Sequence, residues 1–135
     1  MSVVEGDLHA ALMARVEAMA TALSYTVLYP QKGGDQPAGE HVTAFHLPND
    51  NQRGELAGEI MERQGFLVLT LVSPLNIYEV VTKRKAGELA AYFINDLELT
   101  SGDVCVAVTG HTVKPGSQVG ERWETPIWVS YWGMA

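Results

Sequence analysis

The stretch Gly65-Phe66-Leu67-Val68-Leu69-Thr70-Leu71-Val72-Ser73-Pro74 decides the fold. A glycine opens it and a proline stops it. The apolar run between them is too short for a helix carrying its own caps, so it reads as a central strand. Both residue parities are apolar, so both faces of that strand need cover.

Outward from it, the spacing of Leu8, Leu12, Val16, Met19 and Leu23 predicts a helix over Asp7 to Leu23 with Asp7 as its N-cap. Strands are expected at Tyr25 to Leu28, ending before Pro30, and at His41 to Leu47, ending at Pro48. Gly33, Gly34, Pro37 and Gly39 mark the loop between them. Asn49 to Gly58 is polar and turn-rich. Gly58 to Gln64 reads either as an extension of the central strand or as a brief helical turn. A second helix is predicted over Thr82 to Leu97, capped by Thr82, with Ala86, Leu89, Ala90, Phe93, Ile94 and Leu97 on its apolar side. Strands at Val104 to Thr109 and Trp123 to Trp132 close the chain, separated by a loop from His111 to Arg122. The order α-β-β-β-α-β-β predicts an α+β fold: a mixed or mostly antiparallel sheet of about five strands with two helices packed on one face.

The 135 residues suit one domain, and 47% apolar composition supplies its core. Cys105 is the single cysteine, so no internal disulfide is expected and a reducing compartment fits. Sixteen acidic against nine basic residues give a net charge of −7, and only Lys83, Arg84 and Lys85 cluster. That balance argues against a nucleic-acid clamp or an anionic-membrane binder. The acidic start, Met1 to Asp7, is unlike a secretory signal, and no apolar run approaches a membrane span.

Two helices cover one side of a sheet, yet the strands at Phe66 to Val72 and Val104 to Thr109 are apolar on both. Either the long loops fold over the second side or the sheet curls on itself, or another subunit covers it. Trp128 and Trp132 share one face of the last strand, opposite Ile127, Val129 and Tyr131. Tryptophans are enriched among interface anchors, which makes these two the leading candidates.

Catalytic constellations are not expected. His41 and His46, five apart on a strand, point to opposite faces and cannot share a metal. His111 and Cys105 would share a face but lie roughly 20 Å apart if their strand continued. Lys32-Gly33-Gly34 lacks the rest of a phosphate loop, and Glu55, Glu59 and Glu62 read as a solvated row. Lys83-Arg84-Lys85 opens a helix, where positive charge opposes the macrodipole. It reads as a solvated helix end, or as a contact for an acidic partner. No enzyme activity, cofactor or metal is expected.

Four segments resemble the tail terminator and tail-terminator-like families of long-tailed bacteriophages. His41-Val42-Thr43-Ala44-Phe45-His46-Leu47-Pro48 is similar to the family's early strand ending at a proline. Arg63-Gln64-Gly65 through Ser73-Pro74 resembles its glycine-led apolar strand. Ala86, Leu89, Ala90 and Phe93, then Trp123, Pro126, Ile127, Val129 and Tyr131, resemble its small-residue helix and aromatic final strand. At Leu75 to Val81 relatives carry a glycine-rich loop, whereas this chain has Asn76-Ile77-Tyr78-Glu79-Val80-Val81.

The resemblance implies one tail-terminator-like domain over residues 1–135, working as a virion structural protein made in the bacterial host cytoplasm. It implies a homo-hexameric ring that caps the head-proximal end of the tail tube. That ring would stop polymerisation and join the tail to the head-tail connector protein. Its partners are then its own copies, the tail tube protein, the connector, and genomic DNA passing through the lumen without specific binding; no membrane is involved. The interface candidates are Trp128, Trp132, Lys83, Arg84, Tyr78 and Arg63. Alternatives are another small neck or tail-completion protein, or a small α+β enzyme or ligand-binding domain with a pocket between helix and sheet.

Overall fold

In the computed structural model, which describes residues 4–29, 39–48, 52–53, 61–75, 78–101 and 104–134, the glycine-led run lies inside a long central strand. The described elements run α1 (Val4–Leu23), β1 (Val27–Leu28), β2 (His41–Pro48), β3 (Gln52–Arg53), β4 (Met61–Pro74) and α2 (Glu79–Ala90). Then come β5 (Glu98–Ser101), β6 (Val104–Val113), β7 (Ser117–Val119) and β8 (Arg122–Met134). The sheet order is β1-β2-β4-β8-β6-β5, with β3 beside β4 and β7 beside β8. β1 is parallel to β2 and the other described pairings are antiparallel. The α+β mixed sheet is as predicted, with more strands than the expected five. The extra ones are short: β3 flanks β4, β5 pairs with β6 at the sheet edge, and β7 turns back onto β8.

Strand alternation sorts the core. Leu67, Leu69 and Leu71 of β4 face Val42 and Ala44 of β2 on one side and Ile127 and Val129 of β8 on the other. With Val104, Val106 and Val108 they form one buried cluster that takes in Leu12, Val16 and Met19 of α1 and Ala86, Leu89 and Ala90 of α2. Both helices therefore cover the same face of the sheet. Residues 61–64 belong to β4, which resolves that part of the ambiguous Gly58 to Gln64 segment. The loop residues expected over 30–38, 49–51 and 54–58 lie outside the described residues.

Five sequence expectations are corrected. Asp7 is not the N-cap of α1, because the helix already starts at Val4. The second helix starts at Glu79 with Tyr78 as its N-cap, so Thr82 is not a cap but a buried residue inside it. That helix also stops at Ala90, short of Leu97. The Tyr92 and Phe93 amides bond three residues back to Leu89 and Ala90, and Asp96 takes a left-handed φ of 69°, which turns the chain into β5. Phe93 stays fully buried, while Ile94, placed on the apolar side by periodicity, is 55% exposed. Finally, His111 to Arg122 is not mainly loop. β6 continues through a bulge between Val108 and Gly110 to Val113, and β7 then pairs with the start of β8. Gly116 is required at that turn, since a Cβ there would lie 2.2 Å from Nε1 of Trp123.

Candidate assembly interface

The sheet face away from the helices carries the surplus apolar surface. Across β2, β4 and β8 the register aligns Phe45 with Val68 and Trp128, and Leu47 with Phe66 and Ser130. Trp132 stands opposite Gln64 of β4 and Ala107 of β6. Phe45 is 49% and Leu47 39% exposed, and Phe66, Val68, Trp128 and Trp132 are half-buried. Trp128 packs edge-on against Phe66 with ring centroids 5.1 Å apart, and Lys114 Nζ sits 5.6 Å from its ring centroid. The aromatic pair orders the patch from within, and the ammonium contributes about 0.5–1 kcal/mol at such an exposed position. At the far end the face closes: His41 and Val72, opposite one another, are buried.

Trp128 and Trp132 are thus brought together on one face, as the strand alternation predicted. Phe45, Leu47, Phe66 and Val68 join them. These four were not singled out from the sequence, although the Phe45-x-Leu47 and Phe66-x-Val68 alternation carries the signal. The other candidates lie elsewhere. Tyr78, Lys83 and Arg84 are on α2, across the sheet from the tryptophans. Tyr78 is 83% exposed beside exposed Val80 and Val81, Arg84 is exposed, and Lys83 pairs with Glu79 at 3.5 Å. The basic triplet occupies the second turn of α2, not its opening, and Lys85 spans to both carboxylate oxygens of Glu40 at 3.1 Å. Arg63 lies in β4 opposite Gly133; its side chain is outside the described residues.

At the β2 edge a cleft of about 330 Å³ is lined by His9, Met13, Tyr29, Ala44, Phe45, His46 and Pro48. His46 uses both ring nitrogens there: Nδ1 meets His9 Nδ1 at 3.1 Å and Nε2 meets the Tyr131 hydroxyl at 2.5 Å. Burial, and secondarily the charge of His9, push the His46 pKa down to about 4; burial raises that of Tyr131 to about 12. Neutral His46 therefore donates through one nitrogen and accepts at the other. Tyr29 closes one wall, hydrogen-bonded to Glu17, with its own pKa raised by burial and by that carboxylate. His9 carried no signal in the sequence, being an exposed helix residue 37 positions from its partner.

The remaining polar candidates stay apart. His41 and His46 occupy opposite faces of β2, and His41 Nδ1 bonds the Gly39 carbonyl at 3.0 Å. Cys105 is exposed on the open face, while His111 Nδ1 bonds the Phe93 carbonyl at 2.9 Å on the helix side. The bulge after Val108 reverses the side-chain parity, so the two do not share a face as an unbroken strand would have required. Among the described residues no cluster of three or more His, Cys, Asp or Glu side chains is placed to hold a metal ion. No described helix is long and apolar enough to cross a membrane.

The fold and its open face define a small α+β domain with both helices on one face of the sheet and exposed apolar residues on the other, as well as at Tyr78, Val80 and Val81 around the start of α2. The family model described as phage tail terminator protein matches residues 7–131, and the chain belongs to this family. It is accordingly a tail structural protein and a component of the virion. A solved protein structure superposes with a TM-score of 0.78 at 23% identity, covering 96% of this chain and 95% of that one. A chain from the virion of a native gene transfer agent particle superposes over the full length of both, with a TM-score of 0.66 at 12% identity. Both show the same fold. No curated protein sequence matches the chain.

Proposed function

We propose that the protein closes into a homo-hexameric ring on the head-proximal end of the tail tube, ending tube polymerisation and presenting a surface to the head-tail connector. The observation that carries this reading is the open sheet face, with Phe45, Leu47, Phe66, Val68, Trp128 and Trp132 arrayed on three adjacent strands. A contiguous apolar face of that kind favours an association surface. A contact between unlike surfaces closes on itself when its rotation divides a full turn, which makes a ring and not a filament; termination needs that property. The interface candidates fall on opposite sides of the sheet, as a head-to-tail contact would use them. A net charge of −7 per copy suits a lumen through which DNA slides without sticking.

The test is mass by light scattering over a range of concentrations, with negative-stain images, alone and with polymerising tube protein. Rings of six copies, and tubes that stop growing when the protein is added, are the expected result. A strict monomer that leaves tube growth unchanged would overturn it.

A further inference from the structure

Exposed apolar side chains also gather at the start of α2, on the helix side of the sheet. Tyr78 is 83% and Val80 54% exposed, with Val81 exposed beside them. The helix turns these residues outward because Thr82, Ala86, Leu89 and Ala90 take its buried stripe. Val80 and Arg84, four residues apart, share the opposite side, and both are exposed.

The same stretch holds the basic cluster Lys83-Arg84-Lys85 of a chain whose net charge is −7. Glu79 engages Lys83 and Glu40 engages Lys85, while Arg84 stands exposed between them. The open sheet face carries charges of the complementary kind. Glu98 is exposed at the end of the row Glu98–Ala107–Trp132–Gln64, which crosses β5, β6, β8 and β4. Lys114 stands over Trp128 on that face, and Glu79 beside Tyr78 is its counterpart on α2. Copies that each carry −7 repel, so the contact that costs least brings the basic cluster of one to a carboxylate of the next.

We infer that the start of α2 in one copy docks on the open sheet face of a second copy, Tyr78 and Val80 against Trp128 and Arg84 towards Glu98. Tyr78 and Arg84 lie roughly 9 Å apart along the helix. Glu98 aligns with Trp132, two strands across and four residues along from Trp128, which is roughly 16 Å on the sheet. The long side chains of Arg84 and Glu98, reaching towards each other, span the difference. The two patches lie on opposite sides of the sheet, so each copy gives one and receives the other. A two-fold contact would instead set one patch against its own image, Arg84 against Arg84. The inference rests on the ring reading and names the two surfaces that meet in it.

The test is a mixing experiment on the full chain, read by analytical ultracentrifugation, with circular dichroism as the check on folding. Tyr78→Asp spoils the α2 patch and Trp128→Ala the sheet face; should Trp128→Ala unfold the subunit, Phe45→Asp takes its place. Each variant alone is expected to stay monomeric at concentrations where the unmodified chain assembles. Mixed, they should form one-to-one dimers and nothing larger, because each keeps the surface that the other lacks. Arg84→Glu should weaken association about tenfold or more, and adding Glu98→Lys to it should recover most of that loss. Tyr78→Asp chains that still close into rings overturn the inference and leave the ring standing. A mixture that stays monomeric does the same, since the two patches then serve different contacts. An unmodified chain that never associates, with or without tube protein, overturns the ring reading itself.

Discussion

Tyr131 crosses over the backbone of Gly65, its register partner on β4, and its hydroxyl reaches His46 two strands away. A Cβ on Gly65 would lie 2.6 Å from that hydroxyl, 2.7 Å from the Leu47 carbonyl oxygen and 2.8 Å from Pro48 Cα. Two of those three atoms are backbone and cannot swing aside. The glycine that opens the central strand is there because three strands converge on it.

Gly65→Ala is therefore expected to destabilise the subunit by about 1–3 kcal/mol, the usual cost of overpacking. Urea denaturation measures it. A change within about 0.5 kcal/mol would mean that β2 and β8 shift apart without cost.

His46 gives the subunit a pH dependence. Its folded pKa is about 4, below the ordinary histidine value of 6.5. The unfolded chain thus takes up the proton first as pH falls. The stabilisation is fully present above pH 6.5 and is lost progressively down to about pH 4. Since the ring is partly solvated, the loss should reach ~2 kcal/mol or less. Melting temperatures across that range check it. His46→Asn should flatten the slope between pH 6.5 and 4, and an equally steep slope in the variant would assign the effect to other groups.

Trp128→Ala and Trp132→Ala should weaken assembly while leaving the subunit folded. Interface anchors of this type typically contribute ~2 kcal/mol or more, which is roughly a thirtyfold rise in dissociation constant. Analytical ultracentrifugation reads the association and circular dichroism the fold. A tryptophan whose removal unfolds the subunit belongs to the core instead.

Phe93→Ala and Ile94→Ala separate the two residues in the turn that follows α2. Phe93 is completely buried, so its truncation should cost about 3–5 kcal/mol. Ile94 is 55% exposed and should cost less than about 1 kcal/mol in chemical denaturation of the subunit. Similar costs would place Ile94 back on the packed side of a longer helix.

Much of this was legible from local pattern. The three-and-four spacing of Leu8, Leu12, Val16 and Met19 names the buried stripe of α1, and period-two alternation in β4 and β8 assigns Trp128 and Trp132 to a face apart from Ile127 and Val129. Helix ends were less legible. Thr82 has the chemistry of a cap yet is buried, because α2 begins one exposed turn earlier and Thr82 is the first of its residues to reach the packed side with Ala86, Leu89 and Ala90. Periodicity also carried Ile94 into the helix, since it cannot register the turn made by Asn95 and Asp96.

The sequence by itself determined which residues are apolar, in what period, and therefore that one sheet with two helices would leave apolar surface over. Spacing along one segment is a local property, fixed by backbone geometry. Only the tertiary structure decided that the bulge after Val108 sends Cys105 and His111 to different sides, and that His9, His46 and Tyr131 meet. Those outcomes depend on strand order and register between segments tens of residues apart, and no short-range pattern encodes them.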